Sequence, residues 1–196
     1  MEGFEFLARG KRSSIFVGTQ DGMKVALKIF DKHVDRAFNE AYWLKRLNKV
    51  GIGPKFLAHD RNRVMYEFAE GTAIRDFLKE DNTPLDILKN VLLQCRKMDL
   101  EGVNKEEMQN PEKHIIITKD RGPVMIDFEK CRSTKAPQNV TQFCQYLMSF
   151  KLRPVLKKCG IKLEKKEFIK LLKNYKDDMS PNNFKSVRMY LKKKEN

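Results

Sequence analysis

The sequence predicts an α+β protein in which a β-rich first part is followed by a mostly helical remainder. Alternating apolar and polar residues run from Phe4 to Phe30, with glycines as turn signals. Apolar residues at helical spacing dominate after residue 83. A short polar segment that contains glycine, Ala69-Glu70-Gly71-Thr72, separates the two patterns. We therefore predict two lobes of one domain, residues 1–69 and residues 70–196.

The first lobe is predicted to consist of a strand meander, one helix and two further strands. The strands are expected near residues 4–6, 15–17, 25–30, 54–58 and 64–68, with a turn at Asp21-Gly22. Between the third and fourth strands, apolar residues recur at helical spacing: Val34, Ala37, Phe38, Ala41, Leu44 and Leu47. On a helical wheel Glu40 falls between Leu44 and Leu47, which directs its carboxylate towards the core.

The second lobe is predicted to begin with a long helix. Thr83 is suited to cap that helix and Pro84 to occupy its first turn. A polar loop over 102–113 then leads to two short strands, 114–117 and 124–126, which are joined by a turn through 120–123. The second of these strands ends in Asp127. Helical stripes follow from Val140 to Phe150, from Phe168 to Tyr175, and after Ser180-Pro181.

The most informative feature is a lysine inside an apolar strand, followed by a glutamate on the apolar face of the next helix. Lys28 lies in Val25-Ala26-Leu27-Lys28-Ile29-Phe30, and Glu40 follows on the helix. Each charge is unfavourable when buried alone, so the two are expected to pair and to hold the phosphates of a nucleotide. The alternative is a lysine that extends from an edge strand to solvent, with a surface glutamate nearby.

The order of these features resembles the protein kinase fold, from about Phe4 to Phe150. The best matches to its motifs are Val25-Ala26-Leu27-Lys28 and Ile126-Asp127-Phe128-Glu129. The sequence is most similar to small kinases: the RIO type, the kinase of the KEOPS complex, and predicted archaeal serine/threonine kinases with an Ile-Asp-Phe-Glu segment. The resemblance implies a bilobal fold with a small β-rich N-lobe. Only residues 130–139 separate the Asp127 motif from the next helix, and no Ala-Pro-Glu motif occurs, so little room is left for an activation segment.

The resemblance implies a role for each matching residue. Lys28, held by Glu40, would contact the α and β phosphates of ATP, because phosphoryl transfer requires mainly positioning and charge neutralisation. Asp127 would hold Mg²⁺ through its hard oxygen ligands. Without Lys28 and Glu40, the ordinary interpretation of Asp127 would be a turn residue at the end of a strand.

The resemblance also implies an ATP-binding surface in the first lobe. Tyr66 would lie at the back of the adenine pocket beside Ala26, and backbone groups of Glu67 and Ala69 would pair with adenine. In place of a loop with three glycines, the chain has Gly10, Lys11, Arg12, Ser13 and Ser14. Fewer glycines allow fewer backbone amides to approach the phosphates, so the side chains of this loop are expected to substitute for them.

The catalytic loop departs from the family pattern. Counted back from the strand at 115–117, the metal-binding asparagine position holds His114, and the catalytic aspartate position holds Gln109. A two-residue insertion near Asn110-Pro111 would instead make Glu107 the catalytic carboxylate, with His114 or Asn110 at a second metal. Histidine is a poorer ligand for Mg²⁺ than an amide oxygen. The alternative is that Glu106 and Glu107 are solvated loop charges.

Composition and charge narrow the class of protein further. The formal net charge is +14, and residues 151–196 hold 15 Lys or Arg against 5 Asp or Glu. Such a basic segment is suited to RNA, DNA or an acidic protein, or it forms solvated helix faces. The four cysteines form no Cys-x-x-Cys pair and only three histidines occur, so neither zinc nor disulfides are indicated and reduced, buried thiols are predicted. No apolar run approaches the roughly 18 residues that span a bilayer, so a cytoplasmic protein without membrane contact is expected.

These observations favour an ATP- and Mg²⁺-dependent phosphotransferase that acts on Ser or Thr hydroxyls of a protein. Small-molecule kinases share the fold and remain open as an interpretation. The second hypothesis is a pseudokinase that binds nucleotide without transferring phosphate. The third is a basic RNA-associated protein whose electrostatic surface comprises Lys157, Lys158, Lys165, Lys166, Lys192, Lys193 and Lys194.

Overall fold

The computed structural model describes residues 3–81, 83–120 and 122–193, and these form a mixed α+β protein. Contacts within the chain divide it into two compact units. Of the described residues, the first unit contains 3–71 together with 124–131, and the second contains 72–123 together with 132–193. The sequence analysis places its boundary after residue 69. The return of the 124–131 segment to the first unit brings the Asp127 motif into the same unit as Lys28 and Glu40.

The first unit is built on a five-stranded antiparallel sheet. Its strands are β1 (Phe4–Arg9), β2 (Ser13–Gln20), β3 (Met23–Phe30), β4 (Phe56–Asp60) and β5 (Arg63–Glu67). The spatial order is β1-β2-β3-β5-β4, so β3 is the central strand. The predicted strand meander and the two further strands are confirmed.

The register of β3 decides which side chains share a face with Lys28. Lys28 lies opposite Ile15 on β2 and Val64 on β5, and Ala26 lies opposite Tyr66. Because side chains alternate along a strand, Ala26, Lys28 and Phe30 project from one face of the sheet. All three are buried. Lys28 is therefore a core lysine of a central strand, and the interpretation as an edge-strand lysine is wrong.

Helix α1 (Val34–Asn48) packs against β3, β4 and β5. Its buried residues are Ala37, Glu40, Ala41, Trp43, Leu44 and Leu47. The predicted apolar stripe is wrong at Val34 and Phe38, which are 41% and 66% exposed. Phe38 lies beside the buried face and contacts the His59 ring edge-on at 5.5 Å between centroids. The helical spacing places Glu40 on the buried face, as expected.

The second unit consists mainly of helices. They are α2 (Ile74–Glu80), α3 (Leu85–Leu100), α4 (Asn139–Leu147), α5 (Arg153–Lys158), α6 (Lys165–Asp177) and α7 (Pro181–Tyr190). The remaining strands of the chain are short: β6 (Gly71–Ala73), β7 (Val103–Asn104), β8 (Ile115–Thr118), β9 (Pro123–Met125) and β10 (Arg132–Ser133). Strands β7 and β10 pair in antiparallel fashion. Helices α2 and α5 are short elements that the sequence analysis does not predict.

Three local expectations have different outcomes in the second unit. Helix α7 begins at Pro181, as predicted, and Ser180 caps it, since its Oγ accepts a hydrogen bond from the Asn183 N–H at 3.4 Å. Thr83 does not cap α3, because Pro84 is the N-cap residue and Thr83 bonds instead to the Asp81 carboxylate. Phe150 does not belong to the α4 stripe, because that helix ends at Leu147 and Phe150 is 92% exposed. Arg121, in the predicted turn at 120–123, lies outside the described residues.

A buried carboxylate organises the core of the second unit. Asp99 at the end of α3 accepts hydrogen bonds from the Asn139 N–H at 2.9 Å and from its side-chain amide at 2.7 Å. The Tyr175 hydroxyl on α6 donates to the same carboxylate at 3.0 Å. These bonds connect α3, α4 and α6 around one polar centre.

Two further predictions concern the state of the cysteines and helices that could span a membrane. All four cysteines are free and buried, which confirms the predicted burial of the thiols. Within residues 3–81, 83–120 and 122–193, no helix has both the length and the apolar character needed to cross a bilayer.

Candidate functional site

The first unit contains a buried ion pair between its central strand and its helix. Lys28 Nζ lies 2.7 Å from Glu40 Oε2, and the two side chains are 5% and 1% exposed. The strand supplies the lysine because its alternation directs residue 28 towards α1, and the helix supplies the glutamate from its buried face. Such a pair is favourable only when the geometry is close, because both charges have lost their water.

Two further carboxylates converge on the same ammonium. Asp127 Oδ1 accepts a hydrogen bond from Lys28 Nζ at 2.9 Å, and Glu129 Oε2 lies 3.3 Å from it. Both acidic residues come from the segment that follows β9. Asp127 has φ +66°, so the chain turns at this residue, and the carboxylates on both sides of Phe128 reach Lys28. Phe128 is buried, with only 1% of its surface exposed.

The ring of Phe128 packs closely against Gly53. Gly53 has φ +81°, and a Cβ added there would lie 2.6 Å from Leu44 Cδ1 and 3.0 Å from Phe128 Cε2. Only glycine therefore lets the ring of Phe128 pack at this position. Asp127 itself has φ +66°, in the left-handed region, where Asp is among the residues that are tolerated. The aromatic anchor and the turn at Asp127 together aim two carboxylates at Lys28.

Helix α1 also binds the backbone of this segment. The Asn39 side-chain amide donates to the Glu129 carbonyl at 2.9 Å and to the Cys131 carbonyl at 3.0 Å. Its Oδ1 accepts a hydrogen bond from Trp43 Nε1 at 3.0 Å, which fixes the orientation of the amide. Arg36, one turn earlier, pairs with Glu129 Oε1 at 3.2 Å. A single helix thus presents Glu40 and holds the segment that presents Asp127 and Glu129.

The electrostatics of the cluster follow from one ammonium among three acids. Burial alone lowers the pKa of Lys28, but the charges of Glu40 and Asp127 outweigh burial and raise it well above its usual range. Burial raises the pKa of Glu40, and the neighbouring Asp127 and Glu129 carboxylates act in the same direction. Lys28 therefore stays charged at any ordinary pH, while Glu40 holds its proton more tightly than a solvated carboxyl does.

The donor set fits a divalent cation. Glu40, Asp127 and Glu129 each offer one carboxylate oxygen, and these atoms lie within 4.8 Å of one another. Hard oxygen ligands of this kind are those that Mg²⁺ and Ca²⁺ prefer. With Lys28 and Arg36 counted, the five charged groups carry a formal charge of −1, which attracts a cation. The three carboxylates can therefore hold a cation, while the Lys28 ammonium is enclosed by the same carboxylates.

The residues expected to contact adenine lie on or beside β5. Tyr66 is buried and pairs across the sheet with Ala26. Burial raises the pKa of its hydroxyl, and the Glu40 charge adds to that effect. The Glu67 N–H donates to the Lys55 carbonyl at 2.9 Å, so this N–H is not available to a ligand. Ala69 follows β5 and is partly exposed.

The loop expected to cover the phosphates is a tight turn between β1 and β2. The Gly10 N–H donates to the Ser13 carbonyl at 2.8 Å, and Lys11 is exposed and Arg12 partly exposed at the turn. Ser13 and Ser14 belong to β2 and are 6% and 7% exposed. The Ser14 hydroxyl accepts a hydrogen bond from Arg9 at 3.1 Å. Of these residues, Lys11 and Arg12 are the ones with accessible side chains.

The candidate catalytic loop lies in the second unit. Glu107 Oε2 is 3.5 Å from His114 Nδ1, and the Asn110 N–H donates to the Glu107 carbonyl at 2.8 Å. Glu107 has φ +72°, which is unusual for glutamate. The structure thus brings together the three residues that the sequence analysis selects in this loop. They line a cavity of about 390 Å³ with Gln109, Glu112 and Lys113.

Sequence reasoning misses Glu129, Asn39 and Arg36. A glutamate after Asp-Phe has the pattern of an ordinary loop charge, and no local signal directs its side chain towards Lys28. Asn39 and Arg36 lie on α1 one residue and four residues before Glu40. Neither position carries a recognisable pattern without knowledge of the partner segment.

Comparisons with known proteins add no further constraint on the assignment. The sequence matches none of the protein-family models against which it was scanned, and a search of the curated proteins found no match either. The functional interpretation therefore depends on the residues and their geometry.

Proposed function

We propose that this protein is an ATP-dependent phosphotransferase of the protein kinase type, with a bilobal kinase-like fold. The observation that carries the proposal is Lys28, which lies 2.7 Å from Glu40 and 2.9 Å from Asp127 in a buried cluster. A lysine of a central strand paired with a helix glutamate and an acidic segment is the arrangement that phosphoryl transfer needs for charge neutralisation.

Each residue of the cluster has a distinct task in this proposal. Lys28 contacts the phosphates of ATP, and Glu40 holds its ammonium in place. Asp127, whose side chain is 31% exposed, and Glu129 hold Mg²⁺. When bound, the cation neutralises the charge of the phosphate oxygens. Asn39 and Arg36 hold the acidic segment so that its carboxylates keep their positions.

The adenine ring is proposed to contact the chain beside β5. Tyr66 and Ala26 supply an apolar surface from the Lys28 face of the sheet. Because the Glu67 N–H is bonded within the first unit, an adenine contact at Glu67 uses its carbonyl. Ala69 supplies a second backbone contact, and Lys11 and Arg12 supply positive charge for the phosphates.

The acceptor is proposed to be a Ser or Thr hydroxyl of a protein in the cytoplasm. Glu107 is the candidate carboxylate that orients or deprotonates this hydroxyl, and its contact with His114 supports a fixed orientation. His114 and Asn110 are candidates for a second metal contact. This part of the proposal depends on the kinase resemblance and on the geometry of the Glu107 loop alone.

The proposal is tested by phosphate transfer from γ-labelled ATP with Mg²⁺, with the protein itself and dephosphorylated casein as acceptors. We expect metal-dependent transfer that is lost in Lys28→Met and Asp127→Asn. Lys24→Met is the matched control, because Lys24 lies on the same strand but its side chain is 49% exposed. Glu107→Gln is compared with Glu106→Gln, its neighbour, and only the former should abolish transfer.

Three results would count against this function. Transfer that persists in Lys28→Met would contradict the proposed phosphate contact. ATP binding without any transfer would favour a pseudokinase that responds to nucleotide occupancy. The absence of both binding and transfer would reject the nucleotide assignment altogether.

A further inference from the structure

A groove in the second unit combines positive charge, amide groups and an exposed aromatic ring. It has a volume of about 600 Å³ and is lined by residues of α4 and α6 and by the segment after α4. Helix α6 contributes Lys165, Lys173 and Lys176 to the lining, and all three are exposed. The described residues that line this groove include no Asp or Glu. We call it the α4/α6 groove.

The charge of the groove follows from the helical spacing of α6. Lys165, Ile169, Lys173 and Lys176 recur at intervals of three or four residues, so they share one face of the helix. Glu167 lies on a different face and accepts a hydrogen bond from the Tyr190 hydroxyl at 2.8 Å. The lysines therefore present their charge to the groove without a facing carboxylate from their own helix.

The opposite wall carries hydrogen-bonding groups and ends in an aromatic ring. Gln138, Thr141 and Gln145 line it at helical spacing. Phe150, at the end of this wall, is 92% exposed, although apolar side chains of this size are usually covered. A second cavity of about 490 Å³ shares Met148 and Lys165 with the groove, and its other charged residues are Arg153, Lys157, Lys162 and one acid, Glu164. The basic surface thus extends beyond the groove itself.

We propose that the α4/α6 groove binds a single-stranded polynucleotide. Backbone phosphates are complementary to the row of lysines, and an exposed aromatic ring is a stacking platform for a base. Side-chain amides and hydroxyls offer hydrogen bonds to base edges or to sugar hydroxyls. An acidic peptide would use the same charges, but the aromatic ring together with the amide groups favours a ligand that combines phosphates with bases. This function is independent of nucleotide chemistry at Lys28.

The lysines that line the groove differ from those that the sequence predicts for the basic surface. Sequence analysis selects Lys157, Lys158, Lys165, Lys166, Lys192, Lys193 and Lys194. Among the described lysines of that set, only Lys165 lines the groove, whereas Lys157 lines the adjoining cavity. Lys194 lies outside the described residues. Lys173 and Lys176 join the set because helical spacing aligns them with Lys165.

The test is fluorescence anisotropy with labelled 20-nucleotide oligo(rU) and oligo(dT), titrated with full-length protein. Lys173→Gln/Lys176→Gln removes two charges from the groove. Lys170→Gln/Lys185→Gln removes two from exposed positions that do not line it. We expect about tenfold weaker binding for the groove pair and less than about threefold for the control pair. The slope of log K against log salt is negative, and for the groove pair it should become less negative by about 1.4.

Phe150→Ala separates stacking from general attraction. Because Phe150 is exposed, the variant should fold normally, which thermal denaturation followed by circular dichroism will check. We expect at least about fivefold weaker binding with an unchanged salt slope, since a neutral ring is removed. Tighter binding of oligo(rU) than of oligo(dT) would identify RNA as the ligand, and the reverse order would identify DNA.

Three outcomes would overturn the proposal. One is an equal loss of affinity in the two double variants, which would indicate that the oligonucleotide is attracted by the overall positive charge and not by the groove. Another is full affinity in Phe150→Ala. The third is competition by a poly-glutamate peptide of equal charge as effectively as by the oligonucleotide, which would assign the groove to acidic protein segments.

Discussion

Lys28 and Glu40 form an ion pair of 2.7 Å in which neither side chain is more than 5% exposed. Two further carboxylates, those of Asp127 and Glu129, lie within 3.3 Å of the same ammonium. Because Glu40 and Glu129 are both buried, the cluster contains more buried acid than its one ammonium neutralises, which is unfavourable. Added positive charge, such as a divalent cation, would relieve that excess.

Replacement of Lys28 by Met should strongly destabilise the protein. The substitution leaves Glu40 buried without its cation, and removal of one partner of a buried pair typically costs about 3–5 kcal/mol. Chemical denaturation will measure the free energy of unfolding. Lys24→Met, on the same strand with an exposed partner, should change it by less than about 1 kcal/mol. If both substitutions changed the free energy of unfolding equally, Lys28 and Glu40 would not form a buried pair that stabilises the fold.

The stability of the protein should depend on the titration of Glu40. Its pKa is raised in the folded state by burial and by Asp127 and Glu129, so the folded protein binds this proton more tightly than the unfolded chain does. The contribution of Glu40 is therefore most favourable at low pH and is lost as pH rises from 4.5 through the folded-state pKa.

Urea denaturation at several pH values will check this titration. In Glu40→Gln, the decline in stability over that pH window should be smaller than in the natural sequence. Glu70→Gln, at an exposed position, should retain the decline. An identical pH profile for Glu40→Gln and the natural sequence would show that Glu40 titrates normally.

Removal of the Asn39 amide should loosen the acidic segment. Asn39→Asp keeps the shape of the side chain but cannot donate to the carbonyls of Glu129 and Cys131. Leaving buried acceptors unsatisfied costs about 1–3 kcal/mol. Hydrogen exchange of residues 127–131 should accelerate, while Phe38→Ala, on the exposed side of α1, should leave it unchanged. Unaltered exchange in Asn39→Asp would exclude Asn39 as a positioning residue.

The polar centre of the second unit offers a separate test of stability. Tyr175→Phe removes the hydroxyl that donates to Asp99 at 3.0 Å, without changing the ring. Hydrogen bonds to charged groups contribute about 1.5–3 kcal/mol, so the free energy of unfolding measured with urea should fall by that amount. The melting temperature should fall as well. Tyr190→Phe, whose hydroxyl bonds to the exposed Glu167, should have a smaller effect.

Much of the first unit is predictable from the sequence because its patterns are local. The alternation around Val25 and the helical spacing from Ala37 to Leu47 each depend on neighbouring residues, and the burial of Glu40 follows from that spacing. Phe150 shows the limit, since helical spacing continues past the residue at which α4 ends.

The parts of the candidate site that are not predictable depend on long-range contacts. Asn39 and Glu129 are 90 residues apart, and neither has a signal of its own. Asp127 is identified because a motif marks it, whereas Glu129 is found only when the segment is placed against Lys28. The predicted cap at Thr83 is wrong for a local reason. The N–H and hydroxyl of Thr83 bond to the Asp81 carboxylate, and these bonds replace the cap.

Isothermal titration calorimetry of the protein with ATP, in the presence and absence of Mg²⁺, will show whether the Lys28 cluster binds a nucleotide. We expect saturable binding that Mg²⁺ strengthens and that Lys28→Met or Asp127→Asn weakens by about tenfold or more, while Lys24→Met binds normally. No heat of binding with natural protein that is folded by circular dichroism would contradict the proposed nucleotide binding.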